Sequence, residues 1–271
     1  LSKFKKLVKQ ILFEVKHYLL TPFNLNHLSA EDCKLIQTLD EEGYVVIPGF
    51  FTAQECEDMR NRIDSLMSNS KLNIWRDKLN ADKRIYGADM VDEKISGYFR
   101  NPRVHNLVTT YEKNKAYEGF TMAARLDFAE KNKGSGEGWH RDRSDTKQTK
   151  FICYLSDVNS EQGPFQFIKK SHKPWHLLKD YFKYGSKILD TRMNLEFVDE
   201  MIKNEPHRLV ELTAPAGTLV IADTRGIHRG KPIGKNQTRF AITNYYWFDM
   251  PIPHHIRDLM VAPYSEKNRV Y

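Results

Sequence analysis

Between Phe120 and Phe248 the chain is cut into short aromatic and β-branched runs, each closed by a turn. The runs are Phe120–Phe128, His140–Asp142, Lys150–Leu155, Phe165–Ile168, Arg208–Thr213, Thr218–Ala222 and Arg239–Phe248. The breaks include Gly163-Pro164, Pro215-Ala216-Gly217 and Gly230–Gly234, which stop regular structure for known steric reasons. Segments this short are strands rather than long helices. Many of them at close spacing predict a mainly β chain with some α, folded as a sandwich or barrel of the jelly-roll kind. A helical insert is expected over about 172–204, and Lys131–Gly138 reads as a glycine-rich polar loop.

Upstream the texture is helical. Ser29 caps a helix with Asp32 at the third position after it, and Gly43 ends that helix before the short strand Tyr44–Ile47. Thr52 and Glu55 form a capping box for a helix to about Met67. Asn101-Pro102 opens another through about Glu112, since proline suits the first helical position. Residues 68–100 show no clear period and receive no assignment. The helices are expected to lie against one sheet, making 29–271 a single domain.

Residues 1–28 are set apart as a basic amphipathic segment. Apolar side chains at 1, 4, 7, 8, 11, 12, 15 and 19 keep helical spacing, with five Lys and one Glu mostly on the other face. Two readings fit: a terminal helix packed on its own domain, or peripheral membrane contact through residues 1–20 at an anionic surface. No run of eighteen apolar residues occurs, so no spanning helix is expected. The odd trio Cys33, Cys56 and Cys153 reads as free thiols in a reducing compartment, hence a cytoplasmic protein, on the inner face of the membrane if residues 1–20 bind there. The chain opens at Leu1 rather than Met, which is compatible with a trimmed leader.

The chemistry-bearing stretch is Gly138-Trp139-His140-Arg141-Asp142. In an extended segment His140 and Asp142 point to the same side, within reach of one metal ion. Alone the pair means little, because chance supplies about 0.7 His-x-Asp matches in this composition. Eighty-six residues after Asp142 comes His228, and eleven residues further Arg239 opens the last aromatic strand. Two His and one carboxylate with open coordination positions form the facial triad of non-haem Fe(II) oxygenases. An arginine nearby can hold the far carboxylate of 2-oxoglutarate through two parallel bonds. Other histidines are weaker: His254-His255 diverge as neighbours, and His172 and His176 lack a third ligand. Trp139 and Tyr245–Trp247 read as core and cavity wall rather than a stacking platform, so no nucleic-acid partner is expected.

Over roughly 35–250 the sequence resembles the phytanoyl-CoA dioxygenase family of Fe(II)/2-oxoglutarate oxygenases. The likeness lies in Trp139–Asp142, in Phe151–Lys173 with its Gly163-Pro164 turn and Ser171-His172-Lys173, in Ala222–Gly230, and in the eleven-residue step from His228 to Arg239. The block GYVVIPGFFTAQEC, Gly43–Cys56, matches the family's opening. The resemblance implies a double-stranded β-helix (cupin-like) with iron on His140, Asp142 and His228 and 2-oxoglutarate on Arg239. It places Arg125 on a strand facing the same cavity, with Met122 as a further cosubstrate contact. Two positions depart from some members: Arg141 stands where they have Gln, and Gly230 where they have Ser. The implied reaction consumes O2 and 2-oxoglutarate, with ascorbate as an auxiliary reductant. Because Asp142 is present, hydroxylation is expected rather than halogenation.

For substrate, Arg125, Arg141, Arg143, Lys147, Arg225, Arg229 and Lys231 lie on or beside the expected cavity strands, and the chain carries a net charge of +7. Arg141, Arg143 and Arg229 are the substrate candidates. A basic rim suits an anionic small molecule. Combined with the amphipathic start, it fits a lipid-linked sugar such as Kdo of lipopolysaccharide. An acyl-CoA, a small polar metabolite, or a non-catalytic binding module that keeps the fold are the alternatives.

Overall fold

The computed structural model describes residues 22–116, 118–142, 148–185, 190–248 and 251–263. The amphipathic segment 1–20 lies outside them. Among the described residues no helix is long and apolar enough to cross a membrane.

The N-terminal layer forms where its capping residues stand. Helix α1 (Ala30–Glu42) starts where the Asp32 amide donates to Ser29 Oγ and stops at Gly43, whose φ of 89° makes the left-handed cap. Strand β1 (Tyr44–Ile47) follows, and then α2 (Ala53–Ser68), opened by a reciprocal Thr52–Glu55 capping box. Helices α3 (Glu93–Phe99) and α4 (Pro102–Glu112) complete the layer, the second capped by the Asn101 side chain.

The remaining strands are β2 (Trp75–Arg76), β3 (Asp82–Tyr86), β4 (Glu118–Asp127), β5 (Thr149–Tyr154), β6 (Phe165–Ile168), β7 (Leu209–Leu212), β8 (Leu219–Asp223), β9 (His228–Gly230) and β10 (Thr238–Trp247). They form a seven-stranded sheet ordered β1-β8-β5-β10-β4-β3-β2 and a three-stranded sheet ordered β7-β6-β9. The pairings within both sheets are antiparallel. This is the expected jelly roll with helices packed on one sheet.

Strand parity decides which side chains reach the interior. On β10 the even residues Phe240, Ile242 and Tyr246 join the core under the helices, with Ile36, Met59, Ile63, Leu107 and Tyr111. Its odd residues Arg239, Ala241, Thr243, Tyr245 and Trp247 line a cavity between the sheets. Even residues of β4 (Phe120, Met122, Ala124, Leu126) and β5 (Lys150, Ile152, Tyr154) line it too. A second apolar cluster joins the sheets through Ile152, Tyr154, Val220 and Ala222 against Phe165, Phe167 and Leu212.

One expectation is corrected, that of a strand at His140–Asp142, and two regions gain detail. Residues 68–100 contain β2, β3 and α3; in β3 the cavity-facing positions are Arg84 and Tyr86, so no apolar alternation marks the strand. The stretch His140–Asp142 is not a sheet strand. His140 exchanges both backbone bonds with His228, Arg141 N–H donates to Thr191 and Asp142 N–H to Thr224, so three different segments hold it. The insert divides into α5 (Pro174–Tyr184) and α6 (Leu195–Asn204), with 186–189 outside the described residues.

Candidate active site

His140 and Asp142 arrive through the glycine loop, and His228 through the turn between β8 and β9. That turn is anchored to the helical layer. Tyr111 of α4 donates its hydroxyl to Asp223 Oδ2 at 2.8 Å, and Arg225 closes on the same carboxylate with Nε at 3.0 Å and a terminal nitrogen at 2.5 Å. All three side chains are buried. Asp223 is therefore satisfied by Arg225 and Tyr111, and Arg239 has no part in it.

The triad converges. His140 Nε2 lies 3.6 Å from Asp142 Oδ1, His228 Nε2 lies 3.8 Å from Asp142 Oδ2, and the imidazole centroids are 4.3 Å apart. One ligand atom from each residue falls within 4.8 Å of the others. Each histidine turns its other nitrogen to a backbone carbonyl: His140 Nδ1 to Gly138 at 2.8 Å, His228 Nδ1 to Gly226 at 2.9 Å. A carbonyl can only accept, so Nδ1 carries the proton and Nε2 offers its lone pair to the centre.

Charges agree with that assignment. Burial, then the neighbouring His140, hold the His228 imidazole well below its ordinary pKa despite Asp142, so it is neutral and able to ligate. Burial alone would raise the Asp142 carboxyl, but the Lys150 ammonium beside it outweighs this, holding it well below the usual carboxylate range and ionised. Lys150 Nζ sits 2.5 Å from Asp142 Oδ2. His228 Nε2 is buried with no hydrogen-bond partner. A buried lone pair beside a carboxylate is what a divalent ion satisfies, and three donors leave open positions for exchangeable ligands. The residues fit Fe(II).

Arg239 projects from β10 into the same cavity, 6% exposed, and its Nε has no hydrogen-bond partner. Burial lowers its pKa, with Tyr154 and Asp82 partly offsetting this. Met122 lines the cavity, and so does Arg141, 2% exposed. Arg125 does not reach it. Odd parity on β4 turns Arg125 to the helical side, where it pairs with Asp64 at 2.9 Å and Asp127 at 3.2 Å. Arg229, on the outer parity of β9, lies over Trp139 at 4.4 Å and donates to Gln166. Arg225 is held by Asp223, and Lys231 pairs with Glu211. Arg143 and Lys147 lie outside the described residues. The basic rim expected from the sequence is thus mostly turned away.

Other cations take its place. Lys150, Arg84 and Arg192 line the cavity, and none of them is among the cations expected there from sequence. Lys150 shares parity with Ile152 and Tyr154 on β5, so an inside-outside count along that strand would have found it. The C-terminal turn α7 (His254–Arg257) supplies His255 and Ile256 to the mouth, and it is latched by Arg257 to the buried Glu118 at 2.8 Å.

Comparison with known proteins agrees with this geometry. No curated protein matches the chain by sequence. Among solved structures, the epimerase SnoN in complex with Fe3+, alpha ketoglutarate and nogalamycin RO is similar at 16% identity, with 89% of this chain and 98% of that chain covered and a TM-score of 0.65. EctD from S. alaskensis is 16% identical, covering 83% and 79%, at 0.64. HygX from Streptomyces hygroscopicus, with nickel, 2-oxoglutarate and hygromycin B bound, is 14% identical, covering 82% and 88%, at 0.58. At these identities the likeness establishes the shared fold. The family description "Phytanoyl-CoA dioxygenase (PhyH)" matches residues 39–241, a span that holds the triad and Arg239 together. A match over three-quarters of the chain, on a fold that closes a two-His-one-carboxylate centre, places this protein in the phytanoyl-CoA dioxygenase family of Fe(II)/2-oxoglutarate-dependent oxygenases.

Proposed function

We propose that this oxygenase hydroxylates a small anionic molecule. The observation that carries the reading is the charge lining a cavity of about 610 Å³: Asp142 takes Lys150 and the buried Asp82 takes Arg84, while Arg141, Arg192 and Arg239 have no carboxylate partner among the described residues. A cavity of that size suits one small substrate beside 2-oxoglutarate. The small-molecule ligands in the SnoN and HygX structures support the small-molecule part of the reading, and the anionic part rests on the lining charge.

In this reading His140, Asp142 and His228 hold Fe(II), and Arg239 receives the far carboxylate of 2-oxoglutarate, beside Met122. Bound Fe(II) with 2-oxoglutarate supplies O2-dependent oxidation of a substrate C–H bond. The chain's own residues do the rest. Lys150 fixes the orientation of Asp142, the two carbonyl-bound imidazoles hold their tautomers, and Phe120, Trp247 and Ile256 exclude water from the mouth.

The test is anaerobic addition of Fe(II) and 2-oxoglutarate. A weak visible charge-transfer band is expected, absent in His140→Ala, with succinate released on admitting air. A screen of carboxylated and phosphorylated metabolites scored by succinate then identifies the substrate. Neutral compounds stimulating turnover while anionic ones do not would refute the anionic reading. The narrower reading, a lipid-linked sugar such as Kdo, draws support from residues 1–20, which lie outside the described residues. Liposome flotation with and without that segment tests the membrane part, and equal recovery refutes it.

A further inference from the structure

A buried cation normally has a buried anion beside it, because desolvating a lone charge costs several kcal/mol. The cavity breaks this rule twice. Arg239 is one case, and the cosubstrate's far carboxylate accounts for it. Arg141 is the other. It is 2% exposed, its Nε has no hydrogen-bond partner, and no carboxylate pairs with its guanidinium among the described residues.

The acids around it are already engaged. Asp180, fully buried on α5, takes a bidentate pair from Arg208 at 2.7 and 3.0 Å. Glu205 accepts from Lys179, Lys183 and Tyr184 and lies 3.7 Å from Arg208. Among the described residues Arg141 therefore stands beside a second cation, Arg208, with no anion left over. The metal and Arg239 together use both carboxylates of 2-oxoglutarate, so the cosubstrate offers nothing to Arg141 either. Its backbone is fixed, the amide donating to Thr191 at 2.7 Å, and Thr191 and Arg192 continue the same wall.

We infer that Arg141 is the anchor for an oxyanion of the substrate, a carboxylate or a phosphate, seated between the metal centre and the α5–α6 insert. This rests on the anionic-substrate reading and sharpens it to one residue and one end of the cavity. The planar fork of a guanidinium matches two oxygens of either group, and burial strengthens both bonds. Arg141 thereby sets which end of the substrate is held and which carbon faces the triad. It is a specificity-determining residue rather than a metal ligand.

The anchor has a signature apart from turnover. The full chain, saturated with Ni(II) and 2-oxoglutarate, is melted in chloride buffer and across titrations of inorganic phosphate and of acetate. Wild type gains melting temperature saturably with at least one of them. Arg141→Met, which removes an uncompensated charge, starts with a higher melting temperature in chloride and loses the saturable gain. Arg141→Lys keeps a point charge and binds the same anion about 10- to 100-fold more weakly. Should the Met variant fail to fold, the Lys variant decides, and an unchanged affinity there overturns the inference. It is also overturned by a lower melting temperature of Arg141→Met in chloride, which would make Arg141 a structural partner of Asp180. Absence of any saturable gain in wild type overturns it too. Succinate release by wild type without substrate is read separately, so failure of the oxygenase reading and failure of the anchor are told apart.

Discussion

The glycine loop before the triad offers a paired test of how the metal site is held. Gly136 and Gly138 both have left-handed backbone, with φ of 85° and 97°. Alanine at either should cost about 1–2 kcal/mol from backbone strain. Their surroundings differ. A methyl at 138 meets nothing within 4 Å, whereas a methyl at 136 runs into the His140 ring, striking Cε1 with Nδ1 and Nε2 each only 2.9 Å away. Restoring an ordinary contact of about 3.5 Å moves those nitrogens by at least about 0.6 Å, and the rigid ring further because Cε1 is closer still, beyond the roughly 0.2 Å tolerance of metal–ligand distances. It also strains the His140 Nδ1 bond to Gly138. Gly136→Ala is therefore expected to bind metal about 10- to 100-fold more weakly, the range found when a ligand's supporting contacts are disturbed. Gly138→Ala should bind metal as wild type does. In urea melts run with chelator Gly138→Ala should lose only the backbone strain, and Gly136→Ala at least as much. Calorimetric titration with Ni(II) reads the first quantity. Equal metal affinity in the two variants would show that the loop does not position His140, and the account of the site would fall with it.

Other perturbations reach the site from further away. Arg239→Leu should raise the KM for 2-oxoglutarate at least about 10-fold through loss of a bidentate charge-assisted pair, and an unchanged KM would remove Arg239 from the clamp. Tyr111→Phe takes a donor from a buried carboxylate, costing about 1–3 kcal/mol in a denaturant melt, with no change expected only if Arg225 alone suffices. Arg257→Ala leaves Glu118 buried beside one remaining amide donor, from Ile252. The C-terminal turn should then be cut by protease faster than in wild type, and equal rates would refute the latch. Glu205 gives a pH test: burial raises its pKa, but Lys183, Tyr184 and Lys179 bring it down from 4.5 to about 2. A depressed folded pKa stabilises the fold above pH 4.5 and is lost as pH falls towards 2, so Glu205→Gln should flatten stability in that window.

Legibility from sequence followed locality. Ser29, Thr52 with Glu55, and Asn101 bond within three residues of themselves, and each helix begins where its cap stands. The triad was legible because its residue types are scarce and its spacing is specific. Cavity lining was less so, because it depends on which face of a strand turns inward. Arg229 is adjacent to His228 and Arg125 is next to Ala124, yet both point away, while Lys150 and Arg84 point in. Nearness in sequence to an active strand is therefore not nearness to the site. The stretch 75–99 was opaque for a related reason. Its strand pairs through register with β4, Asp82 opposite Leu126 and Tyr86 opposite Met122, and its inward residues are polar because the cavity is.

The pairing of β1 with β8 has a consequence for synthesis. Ile47 lies opposite Leu219, so the partner of the first strand leaves the ribosome about 170 residues later, roughly 10–30 s at ordinary elongation rates. During that interval β1 presents a bare hydrogen-bonding edge to the crowded cell. The second histidine ligand emerges only after β8, so metal cannot nucleate the fold and must be acquired once translation has passed the turn at Gly226. A ribosome stalled before that point would display helices that still lack β10, the strand their core packs against, with the sheet incomplete and its edge open to association.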